Sequence, residues 1–189
     1  MSITLYNMTI QPNVGPHLKY PFDLLPGGWL VVEGQAERRR DLVEELRLAA
    51  YDGSEPLWRN PPVITSRPAQ GGPEADEVHH RQVVRRARQA GRFVIQDGCW
   101  LSAFADDAPH KGDELDAMLG ARRTEVWGED LPSLVVILLD GTTRASRVWL
   151  NAADHLPHRL LLPSRMSRND RFDALFAKLR NLRLNGRIV

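Results

Sequence analysis

The chain has 189 residues, with 25 Lys+Arg against 24 Asp+Glu, 42% hydrophobic residues and one cysteine, which describes a single soluble globular domain able to bury a core without a disulfide or metal staple. Cys99 alone makes no intramolecular bridge, and the longest apolar run, Leu134 to Leu139, is 6 residues where a membrane-spanning helix needs about 20. Met1 to Gln11 lacks the basic start and apolar centre of a secretory signal, so a cytoplasmic location is expected.

Residues 1–28 carry Pro12, Pro16, Pro21 and Pro26 with Gly15, Gly27 and Gly28. After a short strand candidate at Ile3–Tyr6 they read as an extended arm, and residues 29–189 as the domain. Tyr20, Phe22, Leu24 and Leu25 give the arm apolar surface to pack on its own domain or on a protein partner. Trp29 to Val32 is a short apolar run introduced by two glycines, the pattern of a buried strand. Asp41 to Tyr51 places Leu42, Val43, Leu46, Ala49 and Ala50 at helical spacing and is stopped by Asp52-Gly53. Val63 to Thr65 is the next strand, followed by a loop from Ser66 to Pro73. The stretch from Glu74 to Ala90 predicts a polar helix with Val78, Val83, Val84 and Ala87 inside. Phe93 to Ile95 and Leu134 to Leu139 are further strands, Thr143 to Ala153 and Arg171 to Leu182 helices, and Gly186 to Val189 a short terminal strand. Uniformly apolar strands alternating with helices predict a three-layer α/β/α fold around a mostly parallel sheet. Ligands of such sheets bind at the carboxyl ends of the strands.

Only Lys19, Lys111 and Lys178 are lysines, which leaves 22 arginines among the 25 basic residues. Arginine binds planar oxyanions in a bidentate fork, so a nucleotide or another phosphate is one ligand class; a codon bias towards arginine is the plainer explanation. Acidic residues interleave with the basic ones, and no uniform basic face for nucleic acid is indicated.

The four strands end in Glu33-Gly34, Thr65-Ser66-Arg67-Pro68, Gln96-Asp97-Gly98 and Asp140-Gly141-Thr142. From Asp97 onward, Asp97-Gly98-Cys99-Trp100-Leu101-Ser102-Ala103-Phe104-Ala105, then Lys111-Gly112 and Leu115-Asp116, resembles the thymidylate kinase family. The family pattern is an Asp-Arg-aromatic strand end, then Leu-Ser-x-x-Ala-Tyr-Gln and Lys-Gly-x-x-Leu-Asp. Val31 to Gly34 resembles the strand before that family's phosphate loop, Thr65 to Pro68 with Gly71-Gly72 its Arg-Glu-Pro-Gly-Gly segment, and Leu134 to Asp140 its apolar strand ending in Leu-Asp. The four matches keep the family's order over about residues 28–183. The resemblance implies a P-loop kinase-like fold and a homodimer.

The departures fall on the chemistry. A phosphate loop needs Gly-x-x-x-x-Gly-Lys-Ser/Thr, so that backbone N–H groups turn to the phosphates, the lysine reaches the terminal ones and the hydroxyl holds magnesium. The corresponding run is Gly34-Gln35-Ala36-Glu37-Arg38-Arg39-Arg40-Asp41. Arg39 replaces the second glycine, Arg40 the lysine and Asp41 the hydroxyl, while Glu37 and Asp41 oppose anion binding at a helix start. Gly98 stands for the family's strand-end arginine, and Asp106-Asp107 for its base-reading Tyr-Gln. A binding or assembly protein without phosphotransfer is therefore expected. The alternative is an atypical nucleoside-monophosphate kinase, using ATP and Mg and holding nucleotide through Gly34, Arg38, Arg39, Arg40, Arg67 and Asp97; a nucleic-acid-associated protein is the third reading. Arg38 to Arg40 equally fit a solvated helical turn paired with Glu44 and Glu45. The family's arginine-bearing lid would fall within Leu156 to Arg171, with Arg159, Arg165, Arg168 and Arg171; Asp97, Arg165 and Arg168 are the catalytic candidates if transfer occurs.

Other constellations point to packing. His79-His80 with Glu77 reads as a solvated helix face, since adjacent helical positions diverge by about 100° and do not converge on a metal. Cys99 is expected buried and inert. Trp58, Trp100, Trp127 and Trp149 are scattered, as core residues are.

Overall fold

Strands with no polar interruption are stable only when both faces are covered, and β1 (Trp29–Glu33) shows that condition directly, being buried at every residue. The computed structural model describes residues 27–48, 61–68, 72–107, 112–141, 144–156, 158–163 and 165–184. After β1 come α1 (Ala36–Leu48), β2 (Val63–Ser66), α2 (Gly72–His79), a π-helical turn (His80–Val84), α3 (Arg85–Gln89) and β3 (Val94–Asp97). They are followed by α4 (Trp100–Asp107), α5 (Gly112–Val126), β4 (Leu134–Leu139), α6 (Arg144–Asp154), β5 (Arg159–Pro163) and α7 (Arg168–Leu184). The sheet has five strands in the order β2-β3-β1-β4-β5, every neighbouring pair parallel. In register, Val32 of β1 lies between Asp97 of β3 and Val136 of β4, so Glu33 and Asp97 emerge at the same end of adjacent strands.

The two-residue period of β1 feeds two cores. Trp29 and Val31 join Val84, Val94, Trp100, Leu115, Trp127 and Trp149, under the α2–α6 side. Leu30 and Val32 join Leu42, Leu46, Ile95, Leu175 and Leu179, under α1 and α7. This is the three-layer α/β arrangement expected, with Cys99 and four of the tryptophans buried in it.

Several local expectations change. Helix α1 begins at Ala36 rather than Asp41, because the Gly34-Gln35 turn suffices to reverse the chain and Ala36 to Arg40 are all good helix formers. The helical stretch after β2 contains a π-turn, whose extra residue per turn rotates the buried face. Asp76, His80 and Val84 are buried while Val78 and Val83 are exposed. His80 is thus not on a solvated face: its ring stacks on Trp29 at 4.7 Å, and His79 turns to Thr65 Oγ1 at 2.9 Å. Residues 159–163, expected within a mobile lid, are the edge strand β5, because Arg159 to Pro163, with three leucines between them, pair in register with Val135 to Leu139. Ser167 caps α7, its Oγ accepting from Asp170 N at 3.3 Å, so that helix starts three residues before Arg171. The expected strands at Ile3–Tyr6 and Gly186–Val189, Trp58 and the side chains of Asp106 and Asp107 lie outside the described residues.

Candidate functional site

The carboxyl ends of β1 and β3 meet the first turns of α1 and α4. Glu33, the last residue of β1, is fully buried. Its carboxylate accepts from the backbone N–H of Cys99 at 2.5 Å and from the Ser102 hydroxyl. A strand-end carboxylate thereby occupies the N-terminus of α4, the position at which a helix attracts an anion. Burial pushes the Glu33 carboxyl above its ordinary range; the Cys99 and Ser102 donors and the Arg39 charge pull the other way without prevailing. The same burial pushes the Cys99 thiol well up, with the Glu33 charge adding to it.

Arg39 supplies the cation. It projects from the inward face of α1, at helical spacing from the buried Leu42, Val43 and Leu46. Nε donates to Asp97 Oδ1 at 2.5 Å, and Nη1 to the Gly34 carbonyl at 2.9 Å and to Ser102 Oγ at 3.0 Å. The side chains of Arg39 and Asp97 are 14% and 12% exposed. Ser102 therefore accepts from the guanidinium and donates to Glu33, joining all three charges in one network. The contact depends on Gly98, which has φ +72° and whose added Cβ would lie 2.9 Å from Arg39 Nε and 3.0 Å from Cζ. Gly34, at φ +137°, brings the turn against β4, where a Cβ would lie 2.9 Å from both Leu138 Cβ and the Leu138 carbonyl.

The remaining candidates are placed differently. Arg38 and Arg40 are exposed on the first turns of α1. Glu44 pairs with Arg47 and Glu45 with Arg171, so the carboxylates expected to neutralise Arg38 to Arg40 are taken by other arginines. Arg67 joins the sheet end through its backbone N–H to the Asp97 carbonyl at 3.2 Å, while its Nε turns to Asp76 at 3.3 Å. Burial raises the Asp76 carboxyl above its ordinary range against the pull of Arg67. Of the supposed lid arginines, Arg159 lies in β5 and bonds Asp154 at 3.0 Å, and Arg171 clamps Glu45 with two contacts of 2.7 Å. Arg165 is exposed, and the Arg168 guanidinium lies 5.3 Å from the Phe172 ring centroid.

Gly34, Arg39 and Asp97 are thus brought together, joined by Glu33 and Ser102. Glu33 was legible as a strand end, but its role as anion for α4 was not. Arg39 could have been separated from Arg38 and Arg40 by the 39-42-43-46 spacing alone. Among the described residues no group of three or more His, Cys, Asp or Glu is placed to hold a metal, and no helix is long and apolar enough to cross a membrane.

No family model and no curated protein matches the chain. Among solved structures 49 chains match. One is thymidylate kinase from Ehrlichia chaffeensis, at TM-score 0.55 and 15% identity over 83% of this chain and 97% of that one. The five-stranded parallel sheet with its helical layers and this structural likeness establish a thymidylate-kinase-like, P-loop kinase-like α/β fold.

Proposed function

We propose that this chain is a degenerate thymidylate-kinase-like protein that does not transfer phosphate and serves as a binding or assembly protein, with residues 29–189 as its domain and 1–28 as its arm. The Arg39–Asp97 pair carries this reading. At the strand ends, where this fold class receives ligands, both ligand charges come from the chain itself: Glu33 on the N-terminus of α4 and Arg39 on Asp97. A nucleotide entering there has to displace the guanidinium and set its phosphates against an uncompensated Asp97. ATP and Mg do not fit the residues present, since the run from Gly34 to Asp41 offers no Gly-Lys-Ser/Thr and turns helical at Ala36.

Thermal unfolding of the full chain with ATP–Mg, ADP and a panel of deoxynucleoside monophosphates tests the proposal. No shift is expected with ATP–Mg or ADP, whereas a ligand at 100 times its dissociation constant stabilises by roughly 2.7 kcal/mol. An atypical kinase keeps one supporting feature, the exposure of Arg38 and Arg40 on the first turns of α1. It requires a monophosphate shift that Arg67→Ala abolishes, together with an ATP–Mg shift that Arg40→Ala abolishes. Assembly as a homodimer is measured by sedimentation of the same samples.

A further inference from the structure

At the end of the sheet opposite Glu33 and Asp97, Trp29 opens β1 and carries a buried histidine on its ring. His80, the first residue of the π-helical turn, stacks on Trp29 with ring centroids 4.7 Å apart and planes 28° apart. Its Nε2 lies 3.1 Å from Asp130 Oδ2, at ion-pair distance but out of line for a hydrogen bond, and its Nδ1 has no partner among the described residues. A neutral imidazole therefore leaves buried polar atoms without hydrogen bonds, which costs free energy, whereas a protonated one meets a carboxylate. Asp130 is shared. Arg88 of α3 donates from Nη1 to its other oxygen, Oδ1, and from Nε to the Gly27 carbonyl at 2.8 Å, with its guanidinium 5.6 Å from the Trp29 ring centroid.

We propose that His80 and Asp130 form a proton-operated latch, which fastens the π-helical turn to the turn between α5 and β4 when His80 is charged and loosens when it is neutral. Histidine is the side chain whose ordinary titration lies between pH 5 and 8. The Asp130 carboxyl is held below its ordinary range, by the His80 contact first and by Arg88 against partial burial, so it is a carboxylate throughout that window. Asp130 and the π face of Trp29 attract an imidazolium, while Arg88 of α3 and the adjacent His79 of α2 repel one. Burial holds the His79 imidazole below its ordinary range against the pull of Asp76, with His80 adding to the lowering. Asp76, one turn earlier on α2, is engaged by Arg67, and Glu129, beside Asp130, is exposed. Trp127, which packs edge-on against Trp29 at 5.5 Å, brings no charge. The proton comes from solvent through Asp130: the His80 side chain is 9% exposed, that of Asp130 30%, and Asp130 lines a cleft of about 710 Å³ with Arg88 and Glu129.

The test follows the full chain by NMR from pH 8 to pH 5. The His80 Cε1–H resonance should titrate in that range, and Asp130→Asn, which keeps the shape and removes the charge, should move its midpoint to lower pH. Over the same range the amides of Asp130 and Leu131 bond the Trp127 and Glu129 carbonyls. Their protection factors, corrected for intrinsic exchange, should rise about threefold in wild type as the latch closes. The rise should persist in His79→Gln and vanish in both Asp130→Asn and His80→Gln. The amides of Arg67 and Gly98 at the far end of the sheet, which bond Asp97 and Val32, should not respond. A His80 resonance that does not titrate between pH 5 and 8, a midpoint indifferent to Asp130→Asn, or a rise that survives His80→Gln overturns the proposal. Should His80→Gln fail to fold, the comparison of wild type with Asp130→Asn decides it alone.

Discussion

Replacing Arg39 by alanine removes three donor contacts at once, to Asp97, Gly34 and Ser102. Deleting one partner of a buried ion pair costs about 3–5 kcal/mol, because the other charge is left unpaired. Residual exposure of 14% and 12% for the two side chains lets water reach Asp97, so a loss of about 2–4 kcal/mol is expected here. Gly98→Ala attacks the same contact from the other side. Its Cβ would stand 2.9 Å from Nε, and left-handed backbone adds about 1–2 kcal/mol of strain. In the Arg39→Ala background only that strain remains, so the two substitutions should couple by about 1–3 kcal/mol. Urea denaturation of wild type, both single variants and the double variant measures this, with an unchanged m-value certifying that the denatured state is the same. An Arg39→Ala loss below about 1 kcal/mol, the range of exposed pairs, or additive losses in the double variant, would refute the assignment of Arg39 as the counter-charge of the site.

The buried Glu33 carboxyl, raised above its ordinary 4.5, makes the folded chain bind a proton more tightly than the unfolded one. Stability at Glu33 is therefore fully retained below pH 4.5 and falls as pH rises through the raised folded value; the urea midpoint of Glu33→Gln relative to wild type should climb across that window and then level, and a flat difference contradicts the burial argument. Cys99, buried with its thiol held high, should resist iodoacetamide in the native chain and react on unfolding, as mass spectrometry reads; fast native alkylation is inconsistent with this placement. Arg171→Ala, which frees Glu45 and unclamps α7 from α1, should lower stability by about 1–2 kcal/mol in the same urea assay and leave any phosphate affinity unchanged; weakened phosphate binding would return Arg171 to a lid.

The sheet was legible because its central strands are chemically extreme. Trp29 to Val32 and Leu134 to Leu139 offer no polar side to face water, and burial on both faces follows. β5 was hidden because Arg159 and Pro163 bracket its leucines in an arginine-rich stretch that also suits a loop. The π-turn escaped because one extra residue leaves no mark on a polar helix, yet it decides that His80 rather than Val83 meets the core. At the site, Asp97 and Gly34 could be singled out by resemblance. The tie from Arg39 to Asp97 spans 58 residues and exists because Gly98 has no side chain, a steric relation that no local pattern encodes. Gly98 and Arg39 are one feature in three dimensions and two unrelated positions along the chain.

Calorimetric titration of ATP–Mg into the full-length wild-type chain tests the filled strand-end site most directly. No binding heat is predicted, since Arg39 and Glu33 already hold the charge positions at the strand ends. A saturable wild-type isotherm that disappears in Arg39→Ala would contradict it, because Arg39 would then be a nucleotide ligand and not the chain's own counter-charge.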